Sequence, residues 1–161
     1  GTWLTEDVPD LMRANFRTLK SRDGWAFMGS STGGFAGLKA VLKHPDKFKA
    51  VIANGPDIVP DSPLWNGHET EKAENNPEVL AKRLIDTKGP DVYLSFQVGT
   101  RENAITMKSV KNFMRSYGKG PVHTKLWEIP DGRHNGATYG ANMAAPMQWI
   151  SDHLEGPPPA G

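Results

Sequence analysis

Residues 25–37 place an apolar run, a Gly–Ser turn and a helical pattern in immediate succession. Residues 29–33 read Gly-Ser-Ser-Thr-Gly and fit the pattern G-x-S-x-G, with Ser31 at its centre. A serine on so tight a strand-to-helix turn has a strained backbone, and small residues at positions 29 and 33 let the strand and the helix approach. The stretch therefore predicts a strand, a sharp turn that presents the Ser31 hydroxyl, and a helix. A flexible Gly–Ser connector is the alternative interpretation.

The chain alternates short apolar runs with helical patterns. Strands are predicted at residues 25–28, 48–53, 91–98 and 123–129. Helices are predicted at 5–16, from the turn to just before Pro45, at 77–86, at 104–117, and from Tyr139 or Met143 to Leu154. Residues 56–76 lack a regular pattern and are interpreted as a loop. This order predicts an α/β fold in three layers, with a short parallel sheet of about four strands flanked by helices.

Length and composition limit the classes of protein and partner. The 161 residues predict one domain over residues 1–155, followed by a Pro-rich tail at 156–161. The 19 basic residues nearly balance the 18 acidic residues, so no electrostatic field favours a nucleic acid partner. No apolar run approaches the ~20 residues of a membrane-spanning helix. Cysteine is absent, which excludes thiol catalysis and Cys-ligated metal sites, and we expect neither a metal nor a cofactor.

Three of the predicted strands end in residue types that together activate a serine. Ser31 follows the first strand, Glu102 the third and His134 the fourth. Functional groups of an open parallel sheet gather at the carboxyl ends of its strands, so we expect these side chains to meet. Imidazole can accept the serine proton near neutral pH, and a carboxylate fixes its tautomer. The order Ser, acid, His is that of α/β-hydrolases.

Other side chains compete for the base and for the acid. The competing histidines are His44, His68, His123 and His153. Asp57 follows the second predicted strand, and Asp131 lies three residues before His134. His134 is preferred because it follows the last strand in a Gly-flanked loop, and Glu102 because it has the usual topological position of the acid. A structural or solvated role is the alternative for each residue.

Four segments of the chain resemble the putative-esterase family of α/β-hydrolases. These segments are residues 29–38, the His-Pro-Asp-Lys-Phe run at 44–48, residues 98–103 and residues 130–135. The family includes esterase D, enterochelin esterase-like and feruloyl esterase-like proteins, and secreted mycolyltransferase antigens. The resemblance implies a cofactor-free serine ester hydrolase with Ser31, Glu102 and His134 as its triad. It also implies the backbone amide of Thr32 as one oxyanion donor, and it points to export.

The chain resembles the C-terminal half of that family rather than a whole member. Members carry further strands and helices before the nucleophile strand, including the loop that supplies the second oxyanion donor. A sheet that lacks these strands has an exposed edge, which predicts a homo-oligomer that completes the truncated sheet. An acyltransferase with the same triad, or a non-catalytic core kept for binding or assembly, are the alternative functions.

The substrate is expected to be a small-molecule or polymeric ester, and its identity stays open. Ser30, Trp65 and Tyr139 are the candidate substrate-binding residues. Trp65 lies in the irregular stretch and Tyr139 follows His134, so either ring could line an acyl site. A place in the core or in the surface cover is the alternative for both.

Overall fold

A computed structural model describes residues 2–156, and its centre is one sheet of four parallel strands. The strands are β1 (Ala26–Ser30), β2 (Ala50–Asn54), β3 (Val92–Gly99) and β4 (Val122–Ile129). They lie side by side in chain order, and each neighbouring pair is parallel. The predicted α/β fold with a short parallel sheet is therefore confirmed. The predicted Pro-rich tail lies, apart from Gly156, outside the described residues.

Helices follow each of the four strands. They are α1 (Val8–Asn15), α2 (Thr32–Lys43), α3 (Glu69–Glu74), α4 (Pro77–Asp86), α5 (Ala104–Tyr117), α6 (Gly136–Ala141) and α7 (Ala144–Ser151). A π-helical segment at Trp3–Asp7 leads into α1. Short 3₁₀ turns occur at Arg22–Gly24 and Pro63–Trp65.

Two stretches differ from the sequence prediction. Residues 56–76 were expected to be irregular, yet α3 occupies residues 69–74, which read Glu-Thr-Glu-Lys-Ala-Glu. These residues favour helix, and two acids lie in its positively polarised first turn. The predicted last helix is two helices, because the chain leaves helical geometry at Asn142 before α7 begins.

The sheet separates two apolar layers of unequal size. Helices α2, α4 and α5 cover one face, where Leu38, Val110 and Phe113 meet Val51 and Phe96 of the sheet. All five side chains have no exposed surface. The other face has a smaller cluster, in which Ile150 of α7 packs on Ala50 and Ile52 of β2. Successive side chains of a strand point to opposite faces, so each strand contributes to both layers.

Helix α2 lies close to the strands because Gly37 has no side chain. A Cβ at this position would lie 2.9 Å from Cγ2 of Val51 and 3.3 Å from Cβ of Phe27. Val51 is fully buried and β-branched, so its methyl group has little freedom to move. The contact fixes the distance between α2 and the strand that precedes it, and Ser31 lies between these two elements.

We expect Gly37→Ala to lower the free energy of unfolding by about 1–3 kcal/mol, because overpacking outweighs the gain in helix propensity. Gly33→Ala is the matched control in the same helix, since a Cβ there meets no atom within 4 Å. It should be neutral or stabilising by up to about 1 kcal/mol. Urea unfolding of both variants measures the difference. Equal stability of the two variants would contradict the close packing at Gly37.

Strand β1 has a hydrogen-bonded neighbour on one side only within residues 2–156. Its Met28 side chain is 61% exposed, which is unusual for an apolar residue in a sheet. An unpaired strand edge of this kind can accept another strand. The homo-oligomer predicted from the sequence stays a prediction.

Candidate active site

Ser31 occupies the turn between β1 and α2 with a strained backbone. Its φ is 55° and its ψ is −123°, a combination that a residue with a Cβ rarely adopts. Two hydrogen bonds hold this conformation. The Ser31 amide donates to the carbonyl of Asn54 on β2 at 2.8 Å, and the Ser31 carbonyl accepts from the Phe35 amide in α2 at 3.0 Å. The turn thus has the sharp geometry that the G-x-S-x-G pattern predicts.

The glycines of the turn do not contribute equally. A Cβ on Gly29 would lie 2.5 Å from both the carbonyl carbon and the oxygen of Gly33, so position 29 excludes every side chain. A Cβ on Gly33 would meet nothing within 4 Å. Instead Gly34 makes the close approach, since its Cβ would lie 3.1 Å from Cβ of Pro56. The expectation that position 33 must be nearly side-chain-free is therefore wrong on steric grounds.

Ser30 belongs to a row of polar side chains that crosses three strands. Asn54 Nδ2 donates to Ser30 Oγ at 3.2 Å, and Gln97 Nε2 donates to Asn54 Oδ1 at 3.1 Å. The three residues are paired in the register of β1, β2 and β3. Asn54 and Gln97 are 3% and 0% exposed. This row ties the end of β1 to β2, and it gives Ser30 a structural partner beside its candidate substrate role.

Thr32, the candidate oxyanion donor, is the first residue of α2. The first amides of a helix have no acceptor within the helix, and the helix dipole makes them a favourable place for negative charge. The Thr32 amide directly follows the Ser31 residue in the chain. Its position is therefore compatible with an oxygen anion that forms next to the Ser31 hydroxyl.

Glu102 and His134 meet at the carboxyl ends of β3 and β4. Oε2 of Glu102 lies 2.8 Å from Nδ1 of His134, and Oε1 accepts a hydrogen bond from the Gly99 amide at 2.7 Å. The Glu102 side chain is 1% exposed, whereas that of His134 is 45% exposed. A carboxylate so buried interacts strongly with its partners, because little water screens it. The contact engages Nδ1 and leaves Nε2 for proton transfer.

Tyr139 of α6 is the third side chain of this cluster. Its hydroxyl donates to Oε1 of Glu102 at 2.7 Å and lies 2.9 Å from Nδ1 of His134. The residue is 2% exposed, so of the two interpretations of the sequence the ring fits a place in the core and does not line an open acyl site. Burial, together with the hydrogen bond to Glu102, raises the pKa of Tyr139 far above its usual value. The phenol is therefore neutral at every pH at which the protein would work.

Gly55 fills the space between the three polar groups. Its φ is +48°, and a Cβ on it would lie 2.3 Å from the Tyr139 hydroxyl and 2.6 Å from both Oε2 of Glu102 and Nδ1 of His134. The preceding residue, Asn54, accepts the hydrogen bond from the Ser31 amide. The segment Asn54–Gly55 thus contacts both the serine turn and the Glu102–His134 pair. No hydrogen bond within residues 2–156 joins the Ser31 hydroxyl to His134.

The histidines that competed for the base have other surroundings. His123 Nε2 lies 2.8 Å from a carboxylate oxygen of Asp91, and its ring stacks on Tyr93. His153 stacks on the same tyrosine at 4.0 Å between ring centroids. His68 precedes α3 at the surface. His44 ends α2, where burial and the nearby Lys47 lower its pKa.

The carboxylates that competed for the acid lie away from His134. Asp131 forms an ion pair with Arg101 at 2.8 Å, and both side chains are largely exposed. Asp57 is exposed in the segment after β2. Glu102 is thus the carboxylate that contacts His134 in the described part of the chain. Trp65 lies in a 3₁₀ turn, and no hydrogen bond or ring contact among residues 2–156 joins it to this cluster.

Residues 2–156 hold no group of three or more His, Asp or Glu side chains that could bind a metal ion. None of the helices among them has the length and the apolar character needed to cross a membrane.

Solved structures similar to this chain share its fold. S-formylglutathione hydrolase FrmB of Staphylococcus aureus is 19% identical with a TM-score of 0.71, over 89% of this chain and 57% of that one. S-formylglutathione hydrolase of Agrobacterium tumefaciens is 21% identical with a TM-score of 0.73, over 96% of this chain and 57% of that one. MPT51 (FbpC1) of Mycobacterium tuberculosis is 17% identical with a TM-score of 0.73, over 96% of this chain and 68% of that one. At these identities the likeness shows the α/β-hydrolase fold.

The chain spans 57% to 68% of the length of these three structures. A search of curated proteins gave no match. A search of protein families matched residues 1–144 to the family described as Putative esterase. This match includes the serine turn, Glu102, His134 and Tyr139, and it covers far more than half of the sequence. The chain therefore belongs to the Putative esterase family.

Proposed function

We propose that this chain is a serine ester hydrolase that works through an acyl-enzyme on Ser31. One observation carries the proposal: the Glu102–His134 pair, 2.8 Å apart, packs against the segment Asn54–Gly55 that also holds the strained Ser31 turn. A nucleophile, a base and an acid that follow three strands of one parallel sheet form the constellation for acyl transfer. Membership of an esterase family supports an ester as the substrate.

The first half-reaction forms the acyl-enzyme. Oγ of Ser31 attacks the ester carbonyl carbon, and its proton moves to Nε2 of His134. The carbonyl π electrons move to the oxygen, which becomes an anion that the Thr32 amide stabilises. When the carbonyl re-forms, the bond to the alcohol breaks, and the alcohol leaves with the proton from His134. Glu102 stabilises the imidazolium that exists between these steps.

The second half-reaction repeats this chemistry with water. His134 takes a proton from a water molecule as that water attacks the acyl carbon, and it returns the proton to Oγ of Ser31 as the acid leaves. In both half-reactions Glu102 therefore stabilises the same group, the His134 imidazolium. The near-complete burial of the Glu102 side chain matters because its attraction to the imidazolium is stronger where less water screens the carboxylate.

Covalent labelling by a fluorophosphonate probe tests the proposed function. We expect the folded protein to bind one probe per chain, with the label mapped to the peptide that contains Ser31. Mass spectrometry of intact protein and of its peptides measures both results.

The same protein unfolded in urea is the control for this labelling. It keeps every serine but loses the geometry of the site, so it should react slowly and without selectivity. Folded protein that stays unlabelled, or that carries the label on a different serine, would refute the proposed function.

A further inference from the structure

We propose that Tyr139 is a positioning residue that fixes the proton of His134 on Nδ1 and holds the Glu102 carboxylate in place. This inference rests on the proposed function, because it concerns the same serine site. Tyr139 is 2% exposed, so it acts through Glu102 and His134 rather than by touching an ester. Three contacts within 3 Å, among three side chains, carry the argument.

The first step follows from counting protons on the phenol. The hydroxyl has one proton, and it donates that proton to Oε1 of Glu102 at 2.7 Å. It therefore has no proton to give to His134, although it lies 2.9 Å from Nδ1. Towards the imidazole, the phenol oxygen is an acceptor only.

The second step assigns the tautomer of His134. Nδ1 faces two oxygens, Oε2 of Glu102 at 2.8 Å and the phenol oxygen of Tyr139, and both are acceptors. A bare nitrogen lone pair between two acceptors would be repelled by both, so Nδ1 carries the proton. The neutral ring then has its lone pair on Nε2, the nitrogen that must take the serine proton. A phenol that stays protonated at working pH keeps this arrangement permanent.

The third step concerns the carboxylate. Oε1 of Glu102 receives two hydrogen bonds of 2.7 Å, one from the Gly99 amide and one from Tyr139. One donor lies at the end of β3, and the other lies in helix α6. Together they fix the rotation of the carboxylate and direct Oε2 towards His134. Without the phenol, Oε1 would keep only one of these two donors, the Gly99 amide.

Helix α6 gives the phenol a fixed distance from the histidine. Asn135 follows His134 directly, and its side chain caps α6 by accepting from the Thr138 amide at 2.8 Å. Tyr139 lies one turn into this helix, with its ring perpendicular to that of His134 and the centroids 5.9 Å apart. The cap thus joins the base and the phenol into one rigid unit.

The test is Tyr139→Phe, which removes one oxygen and keeps the ring. We expect kcat for a nitrophenyl ester to fall about 10- to 100-fold, as for the loss of a hydrogen bond to a charged group. KM should stay within about twofold, since a residue that positions the base acts on the transition state and not on substrate binding. Tyr117→Phe is the matched control, because that tyrosine packs on Phe113 in α5 and lies outside the site. Its kcat should equal that of the parent.

A double-mutant cycle with Glu102→Gln separates positioning from a general structural role. If Tyr139 acts through the carboxylate, Tyr139→Phe should change kcat less than about threefold in the Glu102→Gln background. Thermal unfolding of each variant checks that the fold is kept. Equal losses in both backgrounds, or a parent-like kcat for Tyr139→Phe, would overturn the inference while leaving an active parent in place. A parent without turnover or labelling would instead overturn the proposed function.

Discussion

Ser31→Ala is expected to lower kcat for a nitrophenyl ester by about 10⁴- to 10⁶-fold, the range found when a triad serine is removed. The acyl-enzyme needs an oxygen on this side chain, and a methyl group offers none. Any turnover that remains would come from water activated in the intact remainder of the site. Stability should stay close to that of the parent, because alanine carries the same Cβ that serine already places at φ 55°.

Ser116→Ala is the control for this result. Ser116 is exposed in α5, and its replacement should leave kcat unchanged. Burst kinetics with the parent supply a second measurement, since an acyl-enzyme releases the first alcohol before the acid. Ser31→Ala protein that hydrolyses the ester at the parent's rate would exclude Ser31 as the nucleophile.

Gly55→Ala is expected to lower kcat by about 100-fold or more, and to destabilise the fold as well. The new methyl group would lie 2.3 Å from the Tyr139 hydroxyl and 2.6 Å from both His134 Nδ1 and Glu102 Oε2. These atoms must move apart, and a displacement of about 1 Å in a catalytic group is enough for a 100-fold loss. The positive φ adds about 1 kcal/mol of strain for any residue with a Cβ.

Gly120→Ala separates the two causes. Gly120 has a φ of +57°, close to the +48° of Gly55, but a Cβ there meets no atom within 4 Å. This variant should lose about 1 kcal/mol of unfolding free energy and keep its kcat. Urea unfolding and ester turnover are measured for both variants. A Gly55→Ala protein that loses stability like Gly120→Ala but keeps kcat would show that the polar cluster is not the active site.

The sheet and the contact between Glu102 and His134 could be predicted because both follow from local patterns and one topological rule. Each strand is a short apolar run bounded by turn residues, and each was found within two residues of its predicted bounds. Parallel strands in chain order bring their carboxyl ends to one edge of the sheet. For that reason Glu102, which follows β3, and His134, which follows β4, could be expected to meet from the order of the strands. Their contact at 2.8 Å agrees with this reasoning.

The remaining parts of the site depend on tertiary contacts that no local pattern encodes. Gly55 follows the second strand in the sequence, and only the packing of three distant side chains around it shows why it has no Cβ. Tyr139 was a candidate substrate-binding residue with a place in the core as the alternative, and its position in helix α6 directs its hydroxyl towards Glu102. One signal in the sequence could have indicated this contact: Asn135 can cap a helix directly after His134, and Tyr139 lies one turn into that helix. Gly34, and not Gly33, makes the close approach because Pro56, which follows β2, packs against it.

Strand β1 carries Ser31 at its end and, like β4, has a neighbour on one side only in the described chain. It pairs with its neighbour over five residues, whereas β4 pairs over eight. Outer strands open more easily than central ones, because fewer contacts hold them. Ser31 and His134 therefore both follow outer strands, and the nucleophile follows the one with fewer paired residues, whereas Glu102 follows the inner strand β3. The hydrogen bonds that Asn54 makes to Ser30 and to the Ser31 amide reinforce the pairing of β1 with β2 at the end where Ser31 lies. On heating, we expect β1 to open before the buried centre of the sheet unfolds, so Ser31 would separate from His134 first. Activity would then be lost at a lower temperature than the fold.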